Sequence, residues 1–347
     1  MKKANITDIS TYAKVSKSTV SNYINGRFDQ MSVETKQKIS GAIEALNYTP
    51  NLSARRLSAQ AKCKVFCIVI PHVIGEIYIS DYFQMVMKSL SEASDKTGYR
   101  LMVYACKRND IENDISYLKQ MASNMVDGFI FMDLLKGDQY FLEFEKLEIP
   151  YVCIGKIDGY DNYHFVASDH RSSMKEVMDH LISLNHRKIA MLLSDETSVT
   201  ASAWVKSYTE CLRDQNVEIN PEYIISTSKY ETNFHSNVYQ LSTKLLKGPQ
   251  RPTAVIAIPS HMEGLLGAVR DQGLRIPEDL SIVCMEYNDN HMLDYLNLTR
   301  VQSAAPEVSS LAFHKLLKTV WNNKCSFDSE LIQLSLTIGS TTTAYKD

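Results

Sequence analysis

From Val65 onward, short runs of mostly apolar residues alternate with segments whose apolar positions recur at helical spacing, and this alternation constrains the fold most tightly. Short apolar runs bounded by polar turns read as buried strands, and the amphipathic segments between them read as helices. The pattern predicts strands at 65–70, 99–104, 128–131 and 151–154, with helices at 82–96, 111–123 and 173–184. A second series follows, with strands at 188–193, 223–225, 254–257 and 280–283 and helices at 201–213, 233–246 and 261–272. Such alternation builds parallel sheets covered by helices on both faces, and two series predict two doubly wound sheets. Ligands of such sheets bind beyond the carboxyl ends of the strands.

The first sixty residues read differently, as three short helices. Thr7 is a candidate N-cap for the first, in which Ile6, Ile9 and Ala13 share a face. Ser16 can cap a second helix running to Asn25, with Val20 and Ile24 turned inward. Ser32 can cap a third, in which Ile39, Ile43 and Leu46 precede Asn47. Only Ala13-Lys14-Val15 separates the first two, which is helix-turn-helix spacing. The second helix carries Lys17, Ser18, Ser21 and Asn22 on its polar face, donors suited to base edges in a major groove. Thr7, Thr19 and Asn25 are candidates for phosphate contacts, which fix register without reading sequence. A small three-helix domain with a solvated polar face is the plainer alternative.

After Tyr48-Thr49-Pro50-Asn51 comes the basic run Leu52-Ser53-Ala54-Arg55-Arg56-Leu57-Ser58. It is too short to hold a helix alone in water and should order on contact. An arginine pair beside an apolar side chain suits a minor-groove reader that wedges between base steps. Charge agrees with this division. Residues 1–62 carry ten Lys/Arg against four Asp/Glu, whereas the rest of the chain carries 27 against 36. A basic head on an acidic body points to a polyanion held by the head.

Composition excludes several classes. A hydrophobic share of 44% and a charged share of 22% are those of a globular chain rather than a disordered one. No apolar run reaches the length of a membrane span, and the N-terminus lacks a secretory pattern, so a cytoplasmic protein without membrane contact is expected. The seven cysteines are scattered, which suits a reducing compartment. Cys63 and Cys67 are not a Cys-x-x-Cys pair, and the nine histidines show no metal-ligand spacing. Asp110, Glu112 and Asp114 resemble the start of a calcium loop, but Ile115 stands where that loop needs glycine. Glycine-rich phosphate loops and nucleophile elbows are missing, so neither an enzyme nor a cofactor is expected.

The run from Asp8 to Gly26 (DISTYAKVSKSTVSNYING) and the run from Ala42 to Asn51 (AIEALNYTPN) resemble the head of the LacI/GalR repressor family. The body resembles the same family at Asp127-Gly128-Phe129-Ile130, Ile149-Pro150-Tyr151-Val152, His186-Arg187-Lys188-Ile189-Ala190 and the segment 273–283. The resemblance implies an all-α helix-turn-helix head followed by an α/β, two-lobed, periplasmic-binding-protein-like effector domain. It places the head at 1–50, a hinge helix and linker at 51–62, and the effector and dimerisation domain at 63–347. Within that domain it implies an N-lobe at 63–185 and 301–330 and a C-lobe at 186–300 and 331–347, joined by three crossovers. A homodimer on a pseudo-palindromic double-stranded operator follows, with Asn51, Ala54, Arg55 and the wedge Leu57 in the minor groove. Two departures stand out in the head. Asn22 replaces the usual arginine, and the turn after Gly26, which carries Arg27, runs one residue longer.

The effector cleft departs most. Trp204 stands where the family commonly places an arginine clamp, and Ser260 and Glu286 stand where it commonly places aspartates. Tyr82, Phe83 and Thr200 fall at other cleft positions. Losing an Arg–Asp pair removes a bidentate grip on hydroxyls, and a tryptophan offers a flat apolar face instead. The expected effector is therefore not a simple sugar but an aromatic or less polar metabolite. The alternatives are a little-used cleft with a protein co-repressor, a Trp204 that only packs the lobe junction, and, further off, a solute-binding protein.

Overall fold

The computed structural model describes residues 4–24, 27–28, 31–48, 62–70, 81–106, 111–160, 162–194, 198–227, 233–288, 294–323 and 327–346. These form two compact units, one of Met1–Cys63 with Ser123–Met125 and one of Lys64–Ala122 with Val126–Asp347.

The head contains α1 (Ile6–Ala13), α2 (Lys17–Ile24) and α3 (Val33–Ala45). Asn5, not Thr7, caps α1. The Asn5 N–H donates to Asp8 Oδ2 at 2.8 Å and the Asp8 N–H returns to Asn5 Oδ1 at 3.2 Å, a reciprocal box open only to a residue three before an acid. Lys14 ends α1 in the left-handed region (φ 53°), so the chain reverses within three residues and starts α2. The Thr19 N–H donates to Ser16 Oγ at 3.1 Å, and the Thr35 N–H to Ser32 Oγ at 3.2 Å, as the sequence predicts for both caps. Ile9, Ala13, Val20, Ile39 and Ala42 close the small core, one apolar stripe from each helix.

Among the described residues the body holds two six-stranded sheets. The first is built from β1 (Val65–Ile70), β2 (Arg100–Ala105), β3 (Gly128–Phe131), β4 (Tyr151–Ile154), β5 (Phe165–Ser168) and β11 (Glu330–Ile332), in the order β11-β5-β4-β3-β1-β2. The second contains β6 (Ile189–Ser194), β7 (Ile224–Thr227), β8 (Ala254–Ala257), β9 (Ser281–Tyr287), β10 (Thr299–Gln302) and β12 (Leu336–Thr337), in the order β12-β10-β9-β8-β6-β7. Among the described strands every pairing is parallel except β10 with β12. The first sheet is flanked by α4 (Asp81–Thr97), α5 (Ile111–Asn124) and α6 (Tyr140–Lys146). The second carries α8 (Val199–Asp214), α9 (Phe234–Leu245) and α10 (Pro259–Asp271).

The chain passes between the sheets three times. It crosses by α7 (His170–Ser183) from β5 to β6, by α11 (Ala305–Asn322) from β10 to β11, and directly from β11 to β12. Those crossings hold each lobe to the other. Phe313 of α11 packs edge-on against Phe66 of β1, 5.1 Å between ring centres, although α11 follows a strand of the second sheet. Segments short enough to escape the periodicity reading, α6 and β5, and the elements after β9 complete the layers.

Candidate nucleic-acid surface and ligand cleft

On the head, burial of the apolar stripes leaves a polar face on α2. Ser16, Lys17, Ser18 and Asn22 are exposed, Thr19 and Ser21 are partly so, and Thr7 and Arg27 are exposed beyond them. Ser16 Oγ lies 2.6 Å from Ser18 Oγ and 2.7 Å from Thr19 Oγ1, so three hydroxyls gather at the start of α2, where the helix leaves N–H groups unpaired. Past α2, Phe28 packs edge-on against Tyr23 at 5.6 Å and under Lys36 at 5.0 Å. Asn25 and the hinge candidates Asn51, Ala54, Arg55 and Leu57 lie outside the described residues.

In the body, the carboxyl ends of β3, β4 and β5 face those of β6, β8, β9 and β10 across a cavity of about 1030 Å3. The parallel order of both sheets dictates this arrangement, because every βα turn then opens to the same side. Tyr82, Thr200, Trp204, Ser260 and Glu286 all line the cavity. Phe83 does not. One residue along the helix from Tyr82 rotates it away, and it lies 8% exposed in the hydrophobic core with Val86 and Leu90.

Trp204 lines the cavity but is only 2% exposed, packed into the hydrophobic core with Ala201 and Tyr208. Its Nε1–H donates to His170 Nδ1 at 3.1 Å. That bond places the His170 proton on Nε2, and burial pulls the imidazole down to about 4 against the opposing pull of Asp169. His170 is therefore a neutral wall residue. Glu286 owes its place to a β-bulge. It takes a left-handed backbone (φ 52°), and the β9–β10 register slips there, pairing Arg300 with Cys284 but Gln302 with Tyr287. The bulge turns the side chain into the cavity, where burial raises its carboxyl to about 7. Burial likewise raises the Tyr82 phenol, and the carboxylates of Glu286 and Asp133 add to the rise.

Asp133 was not foreseen, although it stands just past the end of β3, the position a strand-end rule would flag. Like Glu286 it lines the cavity in a left-handed conformation (φ 53°). The two sides of the cleft also touch. Leu135 forms an isolated antiparallel bridge with Ser198, and Lys206 Nζ lies 2.9 Å from Asp158 Oδ2.

Residues 5–51 match the lacI family of bacterial regulatory proteins, and residues 178–342 match a periplasmic binding protein-like domain. Catabolite control protein A of Priestia megaterium is 25% identical over 331 residues, covering 95% of this chain and 96% of that one. The ribose operon repressor of Haemophilus influenzae is 29% identical over 325 residues, 92% of each chain. Among solved structures, the lac repressor dimer bound to operator and the anti-inducer ONPF superposes with a TM-score of 0.81 at 20% identity, over 99% of this chain and 100% of that one. The transcriptional regulator CelR in complex with cellobiose gives 0.68 at 19% identity, over 97% of this chain and 99% of that one. At that identity both establish the fold. No helix among the described residues is long and apolar enough to cross a membrane.

Proposed function

We propose that this chain, which belongs to the LacI/GalR family of bacterial transcriptional regulators, represses transcription as a homodimer bound to a pseudo-palindromic operator, under control of a small molecule in the cleft. The observation that carries the reading is the polar face of α2. With the head's apolar residues consumed by its own core, Lys17, Ser18 and Asn22 stand exposed on one short helix in a region of net positive charge. Lys17, Ser18, Ser21 and Asn22 read base edges, and Thr7, Ser16, Thr19, Asn25 and Arg27 hold phosphates.

Beyond the three helices, Asn51, Ala54 and Arg55 line the minor groove and Leu57 wedges between base steps, bending the duplex at the centre of the operator. The head at 1–50, the hinge at 51–62 and the effector domain at 63–347 then divide the work. Cleft occupancy and operator affinity are coupled through the hinge, and the coupling is reciprocal: a ligand that weakens the operator is itself weakened by it.

The test is fluorescence anisotropy of a random duplex over a salt series. Binding should fall steeply and log-linearly with salt, and Arg27→Ala should make the slope shallower by about 1. Absence of DNA binding at low salt would sink the reading.

A further inference from the structure

The charges around the cavity are lopsided. Among the described lining residues are four carboxylates, on Asp81, Asp133, Glu263 and Glu286, and one guanidinium, on Arg270. That guanidinium is exposed at the rim and engaged 2.9 Å away by Asp271, a further acid. The wall histidine His170 is held neutral, and Glu263 at the outer edge faces His235 at 3.5 Å. Tyr82 and Phe234, both partly buried, and the exposed Tyr295 present aromatic surface to the same space. Glu286 is the group that most needs a partner, being largely withdrawn from water with no ion pair or hydrogen bond among the described residues.

Carboxylates in a partly dry site reject anions, and among the described lining residues the one guanidinium is already engaged, so a neutral polyol would leave the acids' charge uncompensated. An ammonium satisfies both features at once, pairing with a carboxylate and resting on aromatic faces. Resting on the cleft as the effector site, we infer that the ligand is an organic cation, an amine- or ammonium-bearing small molecule with an apolar or aromatic body. Its charged end lies between Asp133 and Glu286, from the two facing sheets, and its body lies against Tyr82 and Phe234. A ligand so placed ties the two lobes together through charge, where the arginine clamp usual for sugars is replaced by Trp204.

The experiment is isothermal titration of the full-length protein with three molecules of one shape and different charge: tryptamine, indole-3-ethanol and indole-3-acetate. Glucosamine and glucose form a second matched pair. The cation of at least one set should bind about tenfold or more tightly than its neutral counterpart, with indole-3-acetate weakest, as expected for a charge-assisted contact. Glu286→Gln and Asp133→Asn, each checked for unchanged melting cooperativity, should erase that preference while leaving binding of the neutral molecule within about twofold. Equal or tighter binding of the neutral or anionic member, an undiminished preference in both variants, or no binding by either cation would overturn the proposal. Tight binding of glucose that shifts DNA affinity would overturn it and leave the cleft as an effector site. Loss of DNA binding altogether would instead strike at the function itself.

Discussion

At the scale of single residues, the cleft depends on two acids held in an uncommon backbone conformation. Asp133 and Glu286 both sit in the left-handed region without the freedom of glycine, which costs about 1 kcal/mol or more each and persists only where neighbours enforce it. For Glu286 the burial has a consequence in pH. Its carboxyl titrates near 7 in the folded chain against 4.5 when unperturbed, so between those values the folded state binds the extra proton. Its contribution to stability is therefore intact below pH 4.5 and lost as the pH rises through 7. Glu286→Gln should raise the melting temperature at pH 8 and leave it nearly unchanged at pH 5, measured by calorimetry. An equal shift at both values would show that the carboxyl is not strained by burial. His170 runs the other way, its contribution being lost as pH falls from 6.5 toward 4, so the two groups restrict the stable range from opposite sides.

At the scale of elements, helix packing in the second lobe turns on a missing side chain. A Cβ on Gly264 of α10 would lie 2.8 Å from the backbone nitrogen of Tyr239 and 2.8 Å from Val238 Cγ1, on α9. Gly267, one turn on, would meet only the Tyr239 ring at 3.4 Å. Replacing a mid-helix glycine by alanine gains about 1 kcal/mol of helix propensity, while overpacking costs about 1–3 kcal/mol. Gly264→Ala should thus destabilise by about 1 kcal/mol or more and Gly267→Ala should be neutral or mildly stabilising, read from urea unfolding. The reverse order would mean that α9 and α10 do not pack so closely.

The same elements explain what could be read in advance. Strands such as Val65–Ile70 and Ala254–Ala257 were legible because burial on both faces writes a continuous apolar run. Ser16 and Ser32 were legible as caps because the hydroxyl and the following helical face are adjacent in sequence. Asn5 was missed for Thr7 because its partner, Asp8, acts through geometry three residues away. Cleft residues were legible only in part. Tyr82 and Phe83 are neighbours in sequence, and which of them faces the cavity depends on the rotation of α4 against the sheet. The turn of Glu286 into the cleft depends on a bulge against β10, and no local pattern announces it.

At the scale of the whole molecule, the proposed function assigns DNA to the basic head and a ligand to the acidic body. The excess of Lys/Arg in the head would attract phosphate, and the excess of Asp/Glu in the body would repel it, so in the proposed complex the duplex meets the head. Both sides of the cavity include strand ends, one set from each sheet, with helix residues beside them. A ligand between them therefore alters the balance between lobe arrangements only by the difference in its contacts with each. In the proposed homodimer the two-fold symmetry would appear in the DNA, since identical heads would read identical half-sites. Sequence-specific binding by paired heads is tested by selecting bound duplexes from a random pool with the purified protein. The selection should enrich a pseudo-palindrome with a deformable pyrimidine–purine step at its centre, and Lys17→Ala should lose preference at specific half-site positions. Enrichment of an unpaired single site, or of no site at all, would contradict it.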